Sequence, residues 1–255
     1  MTPIQISDFD SEGVTLTPAS APDFDERAQA ILGGNASSRV LELKPYLAIV
    51  RNSNPRTVVA YTVSWTATRR NDSSEVHHTQ FKFPDAVAGT SNGLAVLQGR
   101  EIRTGEERLV GMGFEVWPPE YVDSYGEFGR QAATGLGEVK QLGIALDAAI
   151  FDDGVLLGRD EARLVENFIE FVHEKQSLYR DIVTGLENGD VKEDVFAPLR
   201  EALARASGHQ VPLLGYRRQA AAEVLSFHNR VVLEVFRRTL RREPFAIRRL
   251  SGTSD

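Results

Sequence analysis

The stretch RTVVAYTVSWTAT, residues 56–68, decides the fold class that the sequence predicts. Every second residue from Val59 to Ala67 is apolar or aromatic, and the positions between them include Thr62, Ser64 and Thr66. Because successive side chains of a strand point to opposite faces, this alternation predicts an antiparallel strand with one buried face. The turn cluster Asn52 to Pro55 marks where that strand is preceded by another.

Further strands are predicted on both sides of this one. They lie at residues 13–16, 41–50, 76–83, 94–97, 109–117, 137–151 and 155–157. Asp153-Gly154 predicts a hairpin turn between the last two strands, and residues 23–32 carry the signals of a short helix. Many short strands joined by turns indicate an antiparallel immunoglobulin-like β-sandwich.

The hydrophobic repeat changes near residue 158, from every second residue to every third or fourth. A stripe from Leu164 to Leu186 predicts one helix, and residues 195–206 and 216–242 predict two more. The sequence therefore predicts an α+β chain, in which the sandwich is followed by a C-terminal bundle of about three helices.

Four segments follow from these patterns. Residues 1–37 form an acidic N-terminal segment with a short helix, 38–158 the β-sandwich, 159–245 the helical region, and 246–255 a flexible tail. Because the helical region starts within a few residues of the last strand, we expect the two parts to be docked rather than tethered.

Composition excludes several function classes. The chain of 255 residues has no cysteine, so it forms no disulfide, no thiolate metal site and no cysteine nucleophile. Its net charge of -7 disfavours indiscriminate nucleic-acid binding. The first residues, MTPIQISDFDSEG, do not form a signal peptide, and no apolar run approaches the roughly 20 residues that span a bilayer. We expect a cytoplasmic protein without a membrane partner; an extracellular location stays open if a leader was removed.

Two runs carry a resemblance to known proteins. The run LAIVRNSNPRTVVAY, Leu47 to Tyr61, resembles an edge of bacterial immunoglobulin-like domains. The run IALDAAIFDDG, Ile144 to Gly154, is similar to a segment of bacterial proteins built as such a sandwich with a helical C-terminal tail. This resemblance implies the fold, and it implies no chemistry because no activity is known for those proteins.

Three groups of residues carry weak signals of chemistry. Gly89 to Gly93 fits G-x-S-x-G, but the strand predicted after it and the lack of a parallel sheet indicate a plain loop. His77 and His78 are adjacent on a strand and point to opposite faces, which disfavours a shared metal. Other residues considered as ligands are His173, His209, His228, Glu75, Asp147, Asp152 and Asp153. Their spacing fits neither zinc nor calcium, so we predict no catalytic residue, no metal and no cofactor.

The connection from Pro118 to Gly135 is the strongest candidate for a binding surface. Structureless connections of this length are uncommon in compact domains and are often functional. Its aromatic residues alternate with charged ones, and aromatic side chains are typical anchors for a partner. The alternative is that the rings are buried in the core. The predicted contact residues are Tyr121, Tyr125, Phe128 and Arg130.

The C-terminal region is basic. Between Arg217 and Arg249 there are nine Arg against three Glu, while the first 35 residues hold six acids and one Arg. One interpretation is a basic face that binds nucleic acid or another anion. Two others compete with it: Arg241 and Arg242 suit the C-terminus of a helix, and the acidic N-terminal segment could dock on the basic helix. The overall negative charge favours these two together over anion binding.

The resulting hypothesis is a non-enzymatic interaction or structural module that presents sandwich loops to a protein partner. One alternative is a hydrolase with a site at the sandwich–helix seam. A second alternative is an anion or nucleic-acid binder that uses the Arg-rich C-terminal helix. The sequence leaves the partner and the oligomeric state open.

Overall fold

The computed structural model describes residues 4–32, 44–82, 101–112, 114–115, 139–189, 195–197 and 246–249. The chain divides into two compact units. Within the described residues, the first unit contains two β-sheets and helix α1 (Phe24–Ile31). Helix α2 (Leu164–Glu187) belongs to the second unit from Val165 onwards.

Sheet A has six strands among the described residues and is mixed. Its bounds are β1 (Ile4–Ser7), β4 (Val58–Arg69), β5 (Ser74–Lys82), β8 (Val139–Phe151), β9 (Val155–Gly158) and β10 (Arg248–Arg249). The strand order is β10-β9-β8-β4-β5. β1 also pairs with β8, at residues 142–145, whereas β9 pairs with β8 at residues 148–150. The pairs β4–β5, β4–β8 and β8–β9 are antiparallel, whereas β1–β8 and β9–β10 are parallel.

Sheet B is antiparallel, in the order β2-β3-β6-β7. Its strands are β2 (Val14–Pro18), β3 (Leu47–Asn52), β6 (Glu107–Gly111) and β7 (Phe114–Glu115). Helix α1 covers one of its faces, because Phe24, Ala28 and Leu32 pack with Leu47, Ile49 and Leu109 in one buried cluster.

An arginine holds α1 against sheet B. Arg27 donates to both carboxylate oxygens of Glu107, at 2.9 and 3.2 Å, and to the hydroxyl of Thr17 at 2.9 Å. Both partners lie on the face that α1 covers, since Thr17 opposes Ile49 and Glu107 opposes Arg51 in the sheet register. A bidentate pair of this geometry fixes orientation as well as adding energy.

The prediction that β4 has only one buried face is wrong from Val58 to Trp65 and holds only for the end of the strand. Tyr61, Val63 and Trp65 are fully buried on one face, and Tyr61 stacks on Phe81 with ring centroids 4.7 Å apart. The opposite face is also buried at Thr62, and it becomes accessible only from Thr66 onwards. The strand is therefore covered on both sides over its first half and on one side over its second half.

Two aspartates accept backbone hydrogen bonds from the segment that follows β9 and leads into α2. Asp147 lies at a bulge of β8, and its carboxylate accepts the N–H groups of Glu161 and Ala162 at 3.1 and 2.9 Å. The carboxylate of Asp160 accepts the N–H of Leu164 and caps the first turn of α2. The Asp153-Gly154 turn is confirmed between β8 and β9.

Helix α2 carries the predicted apolar stripe. Its buried apolar residues are Leu164, Phe168, Phe171, Leu178, Tyr179, Ile182 and Val183. Lys175 is 3% exposed on this stripe, and its ammonium lies about 6 Å from the ring centroids of Phe171 and Tyr179. That distance is at the outer limit for cation–π attraction. In the part of the chain that the structure describes, no helix has the length and apolar character needed to cross a membrane.

The predicted architecture, an antiparallel immunoglobulin-like β-sandwich followed by a helical bundle, is wrong. Sheet A is mixed, because a strand from each end of the chain joins it in parallel. The helices described are α1, α2, the single turns Asp10–Glu12 and Lys44–Tyr46, and residues 195–197, which is not a bundle. The single strand predicted at 109–117 is also wrong, since β6 and β7 pair with each other there. The other predicted helical and strand positions, 198–206, 216–242 and 94–97, lie outside the described residues.

Candidate functional site

One face of sheet A carries polar side chains in register. Thr66 of β4 lies between Val76 of β5 and Gly143 of β8, and Thr68 lies between Ser74 and Gln141. β1 extends the same face, because Ser7 pairs with Ala145. The alternation of β4 places these groups opposite the buried face of Trp65.

A groove of about 270 Å³ opens on this face. Its polar lining comes from Ser7, Thr66, Thr68 and Gln141, and its floor includes Gly143 and Ala145. Three strands that are distant in sequence therefore supply its walls. The volume is slightly below the range of about 300–1,000 Å³ for drug-sized ligand sites, so the groove suits a small ligand or one residue of a larger one.

Several lining groups are open to a ligand. Thr68 already shares a hydrogen bond with Ser74, at 3.1 Å between the two hydroxyl oxygens. Ser7, Thr66 and Gln141 make no side-chain hydrogen bond within the described residues. All three are at least partly accessible, so their donors and acceptors face water or a ligand.

A serine–histidine pair lies one row further along the same face. The Ser64 hydroxyl and Nδ1 of His78 are 2.7 Å apart, across the β4–β5 pair. Nucleophilic catalysis needs a base that is itself oriented by a third group. The described residues place no carboxylate within hydrogen-bond distance of His78. The pair therefore has the geometry of a cross-strand contact that stabilises the sheet.

His77 and His78 point to opposite faces, as predicted. His77 pairs with Trp65 in the register, and its Nε2 lies 3.4 Å from the carboxylate of Glu75. Among the described residues there is no group of three side chains that could hold a metal ion. Two of the aspartates considered for calcium have other partners: the carboxylate of Asp147 accepts backbone N–H groups, and that of Asp153 lies 3.7 Å from Arg56.

The shifted pKa values belong to ion pairs outside the groove. A hydrogen bond from Lys140 lowers the pKa of Asp72, and one from Arg69, helped by the charge of His77, lowers that of Glu75. Burial lowers the pKa of Arg27, but its hydrogen bonds to Glu107 and Asp23 outweigh this, so its pKa is raised.

Two further pKa values are raised elsewhere in the first unit. A hydrogen bond to Glu101 raises the pKa of Arg103, and burial raises that of Tyr46. Neither these groups nor the ion pairs above line the groove, whose described lining contains no charged side chain.

The residues predicted to bind a partner, Tyr121, Tyr125, Phe128 and Arg130, lie outside the described residues. The same holds for Gly89 to Gly93, for His209 and His228, and for the basic positions from Arg217 to Arg242. The contact surface predicted from Pro118 to Gly135 stays a prediction.

Sequence reasoning missed the groove. Its residues come from β1, β4 and β8, whose proximity depends on a parallel pair that no local pattern indicates. The signal that was available is the run of hydroxyl side chains at alternate positions from Thr62 to Thr68.

Comparison with known proteins adds no relative. No protein-family model, no curated protein and no solved structure matches the chain.

Proposed function

We propose that the protein is a non-enzymatic interaction module, and that the groove on sheet A is part of its binding surface. The observation that supports this most is the convergence of Ser7, Thr66 and Gln141, without partners among the described residues, on one open cavity. Polar groups that converge in a concave site are the usual means of orienting a ligand.

The chemistry of the lining favours binding over catalysis. Aliphatic hydroxyl and carboxamide groups do not ionise near neutral pH, so without an adjacent base they orient a ligand rather than act as acid or base. The described lining residues also carry no charge that would balance an ionic ligand. The ligand that fits best is therefore uncharged and rich in hydrogen-bonding groups.

The proposal can be tested by titrating the isotope-labelled protein with neutral saccharides, blocked dipeptides and nucleosides. Backbone amide signals of Gly143 and Ala145 should shift in a saturable manner with at least one of these classes. Thr66→Val keeps the shape and the β-branched character of the side chain but removes its hydroxyl, so it should weaken binding about tenfold, the effect of one hydrogen bond.

The matched control is Thr15→Val on β2, which removes a hydroxyl from sheet B and should leave binding unchanged. Two results would overturn the proposal. One is an absence of groove shifts with every ligand class at millimolar concentration. The other is turnover of an ester or peptide that is lost in Ser64→Ala, which would make the Ser64–His78 pair catalytic.

The hydrolase and anion-binding alternatives stay predictions, because no described residue favours either of them.

A further inference from the structure

Strand β5 forms one edge of sheet A. It pairs with β4 along its whole length, and no described strand pairs with its other side. Residues 74–78 are exposed or half-exposed, whereas Thr79, Phe81 and Lys82 are buried. The accessible edge is therefore the first five residues of β5. An open edge of this kind is a template for pairing with another strand.

The exposed edge is complementary to itself. A two-fold axis through Val76 would bring the same strand from a second copy alongside in the antiparallel direction. Val76 would then oppose Val76, Glu75 would oppose His77, and Ser74 would oppose His78. Opposed residues of an antiparallel pair share a face, so each carboxylate would lie beside an imidazole of the other copy. Val76 is 50% exposed in one copy, and its own counterpart would cover it.

Charge favours the register centred on Val76 over the two registers that are shifted by one residue. An axis through Glu75 would oppose two carboxylates, and an axis through His77 would oppose two imidazoles. Like groups placed directly opposite each other destabilise a strand pair. The carboxylate accepts an N–H from imidazole in either protonation state of the histidine, so the favoured register does not depend on a charged ring.

We propose that β5 is a self-association edge, and that its occupant is β5 of a second copy of this chain. The pairing would extend sheet A across the two-fold axis, which is perpendicular to the sheet. The two grooves would then open on the same side. Five residues from each copy bury less than the roughly 1,600 Å² of a standard interface, so we expect a weak, concentration-dependent dimer.

Sedimentation equilibrium over a range of protein concentrations tests this directly. The unmodified protein should show a reversible monomer–dimer equilibrium. Val76→Lys places two ammonium groups opposite each other and should weaken association at least tenfold. Ile6→Lys is the matched control, because Ile6 is an exposed apolar residue of the same sheet, 38% accessible, but lies on β1. It should leave the dimer unchanged.

A charge swap distinguishes specific strand pairing from nonspecific association. His77→Glu opposes two carboxylates and should abolish dimerisation, whereas the double variant Glu75→His with His77→Glu recreates the opposed pair and should restore it. Circular dichroism and melting curves verify that each variant folds. A protein that stays monomeric at millimolar concentration overturns the proposal. So does a dimer that survives Val76→Lys, or a double swap that fails to restore association in a folded protein.

Discussion

Replacement of Gly158 by alanine should destabilise the first unit far more than the same change at Gly105. Both glycines have a left-handed backbone, with φ of 87° and 83°. A Cβ at Gly158 would lie under 3.0 Å from the carbonyl oxygen of Asp147 and from the ring of Phe9. A Cβ at Gly105 would meet no atom of the described residues within 4 Å. Alanine at either site therefore carries the penalty of a left-handed backbone, but only at Gly158 does its Cβ also collide with neighbouring atoms.

The magnitudes follow from these two terms. A left-handed backbone costs an L-residue about 1–2 kcal/mol, which is the full loss expected for Gly105→Ala. Overpacking adds about 1–3 kcal/mol, so Gly158→Ala should lose about 2–5 kcal/mol. The collision is hard to relieve, because the Asp147 carbonyl also accepts the N–H of Arg159 at 3.1 Å.

Urea unfolding followed by tryptophan fluorescence measures both losses. The chain has two tryptophans, so a Trp117→Phe background leaves the fully buried Trp65 of sheet A as the reporter. Comparison of the midpoints at constant slope gives the change in free energy of unfolding. Equal destabilisation by Gly158→Ala and Gly105→Ala would refute the close approach of β9 to Asp147.

Three further predictions concern the packing and the ion pairs of the first unit. Leu109→Ala removes a fully buried side chain from the cluster under α1 and should lower the free energy of unfolding by about 2–5 kcal/mol in urea titrations. Arg27→Met and Glu107→Gln should be coupled by about 1 kcal/mol in a double-mutant cycle, because the pair is bidentate and mostly buried; additive losses would contradict this. The pKa of Asp72 is lowered in the folded state, so its pairing with Lys140 stabilises the protein at neutral pH and is lost as pH falls through the folded pKa. The stability difference between the unmodified protein and Lys140→Met should therefore vanish on acidification, and a difference that persists in acid would contradict this assignment.

Local patterns were sufficient for individual elements but not for their assembly. The alternation through Trp65 predicted the buried face of β4, and the change of period before Leu164 predicted α2, because both depend on residues that are close in sequence. The mixed sheet was missed, since the four residues of β1 carry no pattern that distinguishes parallel from antiparallel pairing. Antiparallel sheets are the more common arrangement, so the pattern of short strands favoured the wrong fold.

The candidate surfaces were missed for a related reason. Glu75 and His77 were considered as metal ligands, whereas their position on an accessible strand edge is a property of the assembled sheet. Likewise, Ser7 and Gln141 become neighbours only through β8. Sequence alternation identifies which side chains share a face, but it does not identify which strand ends up beside which.

The pairing of β1 with β8 has a consequence for the order in which the chain can fold during synthesis. Ile4 lies opposite Leu142, so β1 leaves the ribosome well before β8, the strand with which it pairs. The β4–β5 hairpin can form much earlier, because its strands are joined by a short turn. A nascent chain released before residue 142 would therefore keep its β4–β5 hairpin and leave β1 available to chaperones or proteases.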